Sequence, residues 1–148
     1  MKIYESKIIY NEISAGKVAG LDSPEKVMQY MQGAFDEYPQ QEAMYIIMLN
    51  RKNKPLGRHL ISLGTANNSL CHPREVYRPA VIASASAIIV VHNHPSGDPA
   101  PSTSDIKVTR QLKEASKIMG IDLLDHVIAG DKTESLTGYY SFSEAGLI

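Results

Sequence analysis

The segment Ala87-Ile88-Ile89-Val90-Val91-His92-Asn93-His94-Pro95 runs from five consecutive apolar residues straight into two histidines and a proline. The uncharged run Ala87–Val91 reads as a strand buried on both faces, and it delivers the histidine pair at its C-terminal end. Strand side chains alternate with period two, so two His separated by one residue project to the same side. Pro95, Gly97, Pro99 and Pro101 then fall within seven positions, which excludes regular structure there. Beyond them Ser102–Met119 reads as a helix, with Gly120 as its C-terminal stop.

Outward from this strand, loop and helix, the rest of the chain alternates in the same way. Ile121–Ala129 reads as a strand, Gly130-Asp131 as a turn and Tyr139–Phe142 as a last short strand. Upstream, Glu42–Leu49 is a dense apolar run of strand length. A polar turn over Asn50–Pro55 leads into a second strand, Leu56–Leu63. Pro73 opens a helix to about Ala83. Ser23-Pro24 opens another, with Val27, Tyr30, Met31 and Ala34 at helical spacing to about Tyr38-Pro39. Lys2–Ile13 reads as an extended arm or strand. The expectation is a single mixed α/β domain.

The 148 residues match one domain with a proper core. A net charge of −1 and a pI near 6.5 give no bulk electrostatic footprint for nucleic acid. Cys71 is alone, so an intramolecular disulfide and a Cys-rich structural zinc site are both excluded. Met1–Lys7 carries charges where a signal peptide needs its apolar run, and no window approaches a membrane span. A cytoplasmic location, without membrane attachment, is the expectation.

His92, His94, Ser102 and Asp105 form the pattern H-x-H-x(7)-S-x(2)-D. A pair of same-side imidazoles suits chelation of one ion. An open catalytic zinc site takes three ligands of His/His/carboxylate kind and leaves a position for water. Loop histidines in a polar turn are the plainer alternative. Ser-x-x-Asp at a helix start is also a capping box, which local pattern alone favours. The helical phase adds something. Asp105 shares its face with Val108, Thr109, Leu112, Ala115, Ser116 and Met119, the face that should pack inward, and an acid there needs a partner. Glu42, the last charge before a run of seven apolar residues, reads locally as a solvated strand-end acid or as a carboxylate base.

With Glu42 included, these residues resemble the complete signature of the JAMM (JAB/MPN) metalloprotease superfamily. More narrowly, His72-Pro73-Arg74-Glu75-Val76, His92–Pro99 and Leu123-Leu124-Asp125-His126-Val127-Ile128 resemble the bacterial RadC-like group. The similarity covers about Pro24 to Ile148, including Ser141–Gly146. It implies a layered, cytidine-deaminase-like α/β fold, a mixed curved β-sheet flanked by helices, over residues 23–148 behind an arm at 1–22. It also implies that His92, His94 and Asp105 hold one Zn²⁺ per chain. Glu42 would be the general base and Ser102 the oxyanion donor, in hydrolysis of a peptide or isopeptide bond.

RadC-like proteins often carry an N-terminal helix-hairpin-helix region, whereas about 22 residues precede the first helix expected here. The group's DNA-repair label supplies the alternative: a nucleic-acid or protein binding module with a non-catalytic metal. The Lys107/Arg110/Lys113/Lys117 face admits such contact but is usually a solvated face. A zinc nucleoside deaminase needs H-x-E and P-C-x-x-C, which a single Cys excludes. His72 and His126 read as satisfied structural histidines, His59 as a surface residue and Cys71 as a small buried side chain. The expected partner is a peptide or protein substrate, acted on by a monomer or dimer.

Overall fold

In the computed structural model, residues 1–5, 7, 9–13, 20–64, 71–134 and 137–148 are described. The elements are α1 (Pro24–Tyr30), β1 (Glu42–Leu49), β2 (Pro55–Gly64), α2 (Pro73–Ile82), β3 (Ala87–Asn93), α3 (Thr103–Met119), β4 (Asp122–Lys132) and β5 (Thr137–Ser141). The strands form one open sheet in the order β2-β1-β3-β4-β5. β3 and β4 are parallel, joined through α3, and the other neighbours are antiparallel. The sheet is mixed, as the family resemblance implies.

The apolar runs are explained by two cores, one on each face of the sheet. Ile46, Met48, Ile88 and Val90 pack with Val76, Tyr77 and Ala80 of α2 and Val108 and Leu112 of α3. Their alternate neighbours Ile47, Leu49, Ala87, Ile89 and Val91 pack with Leu21 and with Val27 and Met31 of the α1 region. A strand covered on both sides has no polar phase to show, so β3 is buried at every position. The Tyr77 hydroxyl donates to the Leu112 carbonyl at 3.0 Å and ties α2 to α3.

α1 stops a full two turns before Tyr38. Its cap is Met31, and Gly33 takes φ +76. The chain continues in tighter i→i+3 turns, with Ala34 N donating to Met31 O and Tyr38 N to Phe35 O. Such turns keep nearly the same residues facing inward, which is why the helical spacing persists past the helix end. β4 runs through Gly130-Asp131 instead of turning there, and β5 begins two residues earlier than expected. The described part of the Lys2–Ile13 arm is exposed and forms no strand. Tyr10 of this arm lies over Gly57 of β2.

The Ser141–Gly146 stretch has a structural task. Asp125, buried on β4, accepts from the backbone N–H groups of His126 (2.7 Å) and Ser143 (3.0 Å) and from the Ser141 hydroxyl (2.6 Å). Burial pushes its carboxyl up, and these donors oppose the rise. The C-terminal turn is thereby pinned to β4, and Phe142 stacks on the His126 ring at 4.9 Å.

Candidate metal centre

Along β3, Val90 faces α3 and Val91 faces α1, so His92 comes out toward α3 and Asn93 toward α1. His94 follows just past the strand end, where its N–H donates to Ala129 O of β4. The imidazole Nε2 atoms of His92 and His94 lie 3.0 Å apart. Asp105, at the start of α3, places Oδ1 3.4 Å from His92 Nε2 and Oδ2 3.5 Å from His94 Nε2. Three donors of His, His and carboxylate type thus lie within 4.8 Å of one another, a group able to hold a metal ion.

The other ring nitrogens are occupied. His94 Nδ1 donates to the Asp98 carbonyl at 2.8 Å, and His92 Nδ1 lies 2.8 Å from His126 Nε2. The loop that supplies Asp98 O is held against β4. Asp131 N donates to Gly97 O at 2.7 Å, and Gly97 N to His94 O at 2.9 Å. Gly130 permits this approach, since a Cβ there would stand 2.5 Å from Gly97 O and 2.9 Å from Pro99 N. The proline-rich run is therefore a stiff bracket for one imidazole.

Asp105 serves both of the readings left open by its sequence pattern. Ser102 N and Oγ donate to its Oδ2 at 2.7 and 2.6 Å, and Asp105 N donates to Ser102 Oγ at 3.1 Å, completing a capping box. Oδ1 is left facing His92. Burial alone would raise the Asp105 carboxyl, but His94, Ser102 and the His92 charge outweigh it and hold it well below the usual carboxylate range. His92, almost wholly buried, is pushed down to about 4 by desolvation, with Asp105 opposing. His94, half-buried, is raised by its contact with Asp105. Burial also holds the His126 ring far below its ordinary value and so neutral.

Glu42 opens β1 beside this group. Asn93 Oδ1 accepts from Ala43 N at 2.7 Å, and Asn93 Nδ2 donates to Gln41 O at 3.1 Å, so one side chain grips the backbone on both sides of Glu42. The Glu42 carboxyl is raised by burial, lowered by the charge of His94 and raised by that of Asp105. All five residues singled out in the sequence are thus brought to one end of the sheet. Ser102 Oγ is engaged with Asp105 there. The remaining histidines part company. His72 caps α2, accepting from Arg74 N through Nδ1 at 3.2 Å, and His59 is exposed on β2. Cys71 is buried, its thiol pushed up to about 12, which leaves it inert.

Two supporting groups were not legible as such. Asn93 sits unremarked between the histidines, and His126 reads as a structural ring. The one available sign was polarity on an apolar face: Thr109 on the inward stripe of α3, and His126 in an otherwise buried β4.

Comparison with known proteins accords with this arrangement. The RadC-like JAB domain family matches residues 21–147. The chain belongs to that family. A UPF0758 protein of Caldanaerobacter subterraneus is 48% identical over 130 residues, covering 86% of this chain and 55% of the relative. UPF0758 proteins of Thermotoga maritima and Geobacter sulfurreducens are each 46% identical over 126 residues, covering 85% of this chain and 54% and 52% of theirs. This RadC-like JAB chain therefore spans about half the length of the curated relatives it matches. Among its described residues, no helix is long and apolar enough to cross a membrane.

Proposed function

We propose that this RadC-like JAB domain is a zinc-dependent hydrolase of JAMM type, acting on a peptide or isopeptide bond. One observation carries the reading: both Nδ1 atoms are engaged elsewhere while both Nε2 atoms converge at 3.0 Å beside the Asp105 carboxylate. Lone pairs directed at one another repel, and a cation between them, a metal ion or a shared proton, relieves the repulsion. At zinc–ligand distances of about 2.0–2.1 Å, a tetrahedron has edges of about 3.3–3.4 Å, which the three separations bracket. The donor set therefore fits zinc, held by His92, His94 and Asp105.

When bound, zinc supplies Lewis acidity and makes water a nucleophile near neutral pH. Glu42, whose raised carboxyl suits proton transfer, takes the proton of the attacking water and returns it to the leaving amine. Ser102 turns its hydroxyl from Asp105 to the developing oxyanion. The substrate backbone lies in the groove of about 540 Å³ that Phe35, Tyr38, Asn93, His94 and Asp131 help to line.

The first test is metal content. Wild-type protein carries about one zinc per chain and His94→Ala none, by elemental analysis. Protein that stays metal-free when zinc is supplied would overturn the reading. Glu42→Gln keeps its zinc and loses turnover of any substrate found.

A binding module with a non-catalytic metal is the second reading. Lys107 and Arg110, against the single acid Glu114, line a groove of about 560 Å³ between α2 and α3, an excess of one positive charge that favours an anionic partner. Duplex DNA binding that weakens steeply with salt supports it, and affinity indifferent to salt counts against it.

A further inference from the structure

We infer that Thr109 and His126 are positioning residues, a hydrogen-bonded relay that fixes His92 in the tautomer whose Nε2 is bare. The relay begins at a group with no proton to give. The Asp105 carbonyl can only accept, so the Thr109 hydroxyl, 2.7 Å away and four residues on, donates to it. That donation uses the single hydroxyl proton. Thr109 Oγ1 also lies 2.7 Å from His126 Nδ1, and this second contact is a bond only when His126 donates. The His126 proton therefore sits on Nδ1, and its Nε2 carries a lone pair. His126 Nε2 stands 2.8 Å from His92 Nδ1 and must accept from it. His92 is then protonated on Nδ1 and bare on Nε2, the atom that faces His94 and Asp105.

The two histidines reach the same state by different routes. A backbone carbonyl, Asp98 O, sets His94 in one step. His92 depends on three successive bonds that start inside α3. His126 lies wholly within the core, stacked on Phe142, so no water competes for either nitrogen. Without the Thr109 hydroxyl, nothing holds the His126 proton on Nδ1. A His126 protonated on Nε2 reverses its bond to His92 and puts a proton on His92 Nε2, where the ligand lone pair is required.

The affinity readout rests on the metal reading above, whereas the tautomer belongs to the metal-free chain, so the two fail separately. Zn²⁺ affinity is measured by chelator competition on the full chain for wild type, Thr109→Val and Thr109→Ser, with ring-nitrogen NMR on each metal-free protein. Thr109→Val keeps the shape and removes the hydroxyl, and it weakens zinc binding by about 10–100-fold, the usual effect of losing a supporting partner of a metal-bound His. Thr109→Ser restores the hydroxyl and wild-type affinity. The wild-type NMR spectrum shows His92 protonated on Nδ1. Zinc binding by Thr109→Val at wild-type strength, or a wild-type His92 protonated on Nε2, would sink the relay. Should Thr109→Val not fold, the wild-type spectrum decides. Should no protein bind zinc, the metal reading falls and the ring nitrogens still decide the relay.

Discussion

Asp105 carries two duties on two oxygens. Oδ2 closes the capping box with Ser102, and Oδ1 faces His92. Substitutions separate them. Asp105→Asn keeps an oxygen able to accept from the Ser102 N–H but removes the charge. The metal-free protein should then lose no more than about 1 kcal/mol, while zinc binding is lost. Ser102→Ala should do the reverse, costing about 1 kcal/mol of cap with zinc retained. Thermal unfolding and elemental analysis on both variants check this. Zinc held by Asp105→Asn at wild-type stoichiometry would remove Asp105 from the ligand set. At this scale, the cap and the candidate ligand were proposed together from residue types and spacing, and the capping box is present. Which oxygen serves which duty was not legible, because that depends on where β3 lies relative to α3.

At the scale of elements, Asn93 links two strands that meet only through long-range pairing. It grips Gln41 O and Ala43 N across 52 and 50 positions of sequence. Ala43 is fully buried, so Asn93→Ala leaves its N–H without a partner and should destabilise the fold by about 1–3 kcal/mol. Asn93 touches none of the candidate ligand atoms, so zinc stoichiometry should stay that of the wild type. Denaturant midpoints and metal content decide, and loss of zinc in this variant would show that grip and ligand set are not separable. Nothing in the sequence around Glu42 foretold this grip. Contacts 50 residues apart leave no local trace, whereas β1, β3 and α3 announce themselves by run length and period. The end of α1 was illegible for another reason, since Gly33 ends the helix without breaking the inward spacing of Met31 and Ala34.

The whole molecule should respond to acid in a direction that can be worked out. In the metal-free chain, burial lowers His92 to about 4 and His126 well below 6.5, the ordinary value of an imidazole exposed on unfolding. As pH falls through 6.5, the unfolded chain takes up protons that the folded chain refuses, so stability present above 6.5 drains away toward pH 4. His94 acts oppositely. Its raised value contributes stability below 6.5 that is lost as pH rises through the folded value. The raised carboxyls of Glu42 and Asp125 bind protons sooner in the fold and offset part of the loss, but the two buried rings are displaced further, so the thermal midpoint should fall as pH is lowered from 6.5 to 4, and a rise would contradict the assignment. Fold class and the strands' order of appearance could be read from the chain, and the five candidate residues named from it come to one end of the sheet. The buried polar support behind them could not be read, because Thr109 and His126 look like ordinary core positions until β4 is laid beside α3.

His92 and His126 are separated by 34 positions, and the candidate ligands and their backing fall within that run, on β3, the loop after it, α3 and β4. Glu42 stands outside that run, on the far side of a hairpin. Candidate ion site and candidate base are therefore encoded on different stretches of the gene. β1 is packed into both cores and cannot be lost whole, but a single substitution at Glu42 would remove the carboxylate and leave the His92, His94 and Asp105 group in place. In a descendant so altered, any capture of an ion would outlast any chemistry done with it.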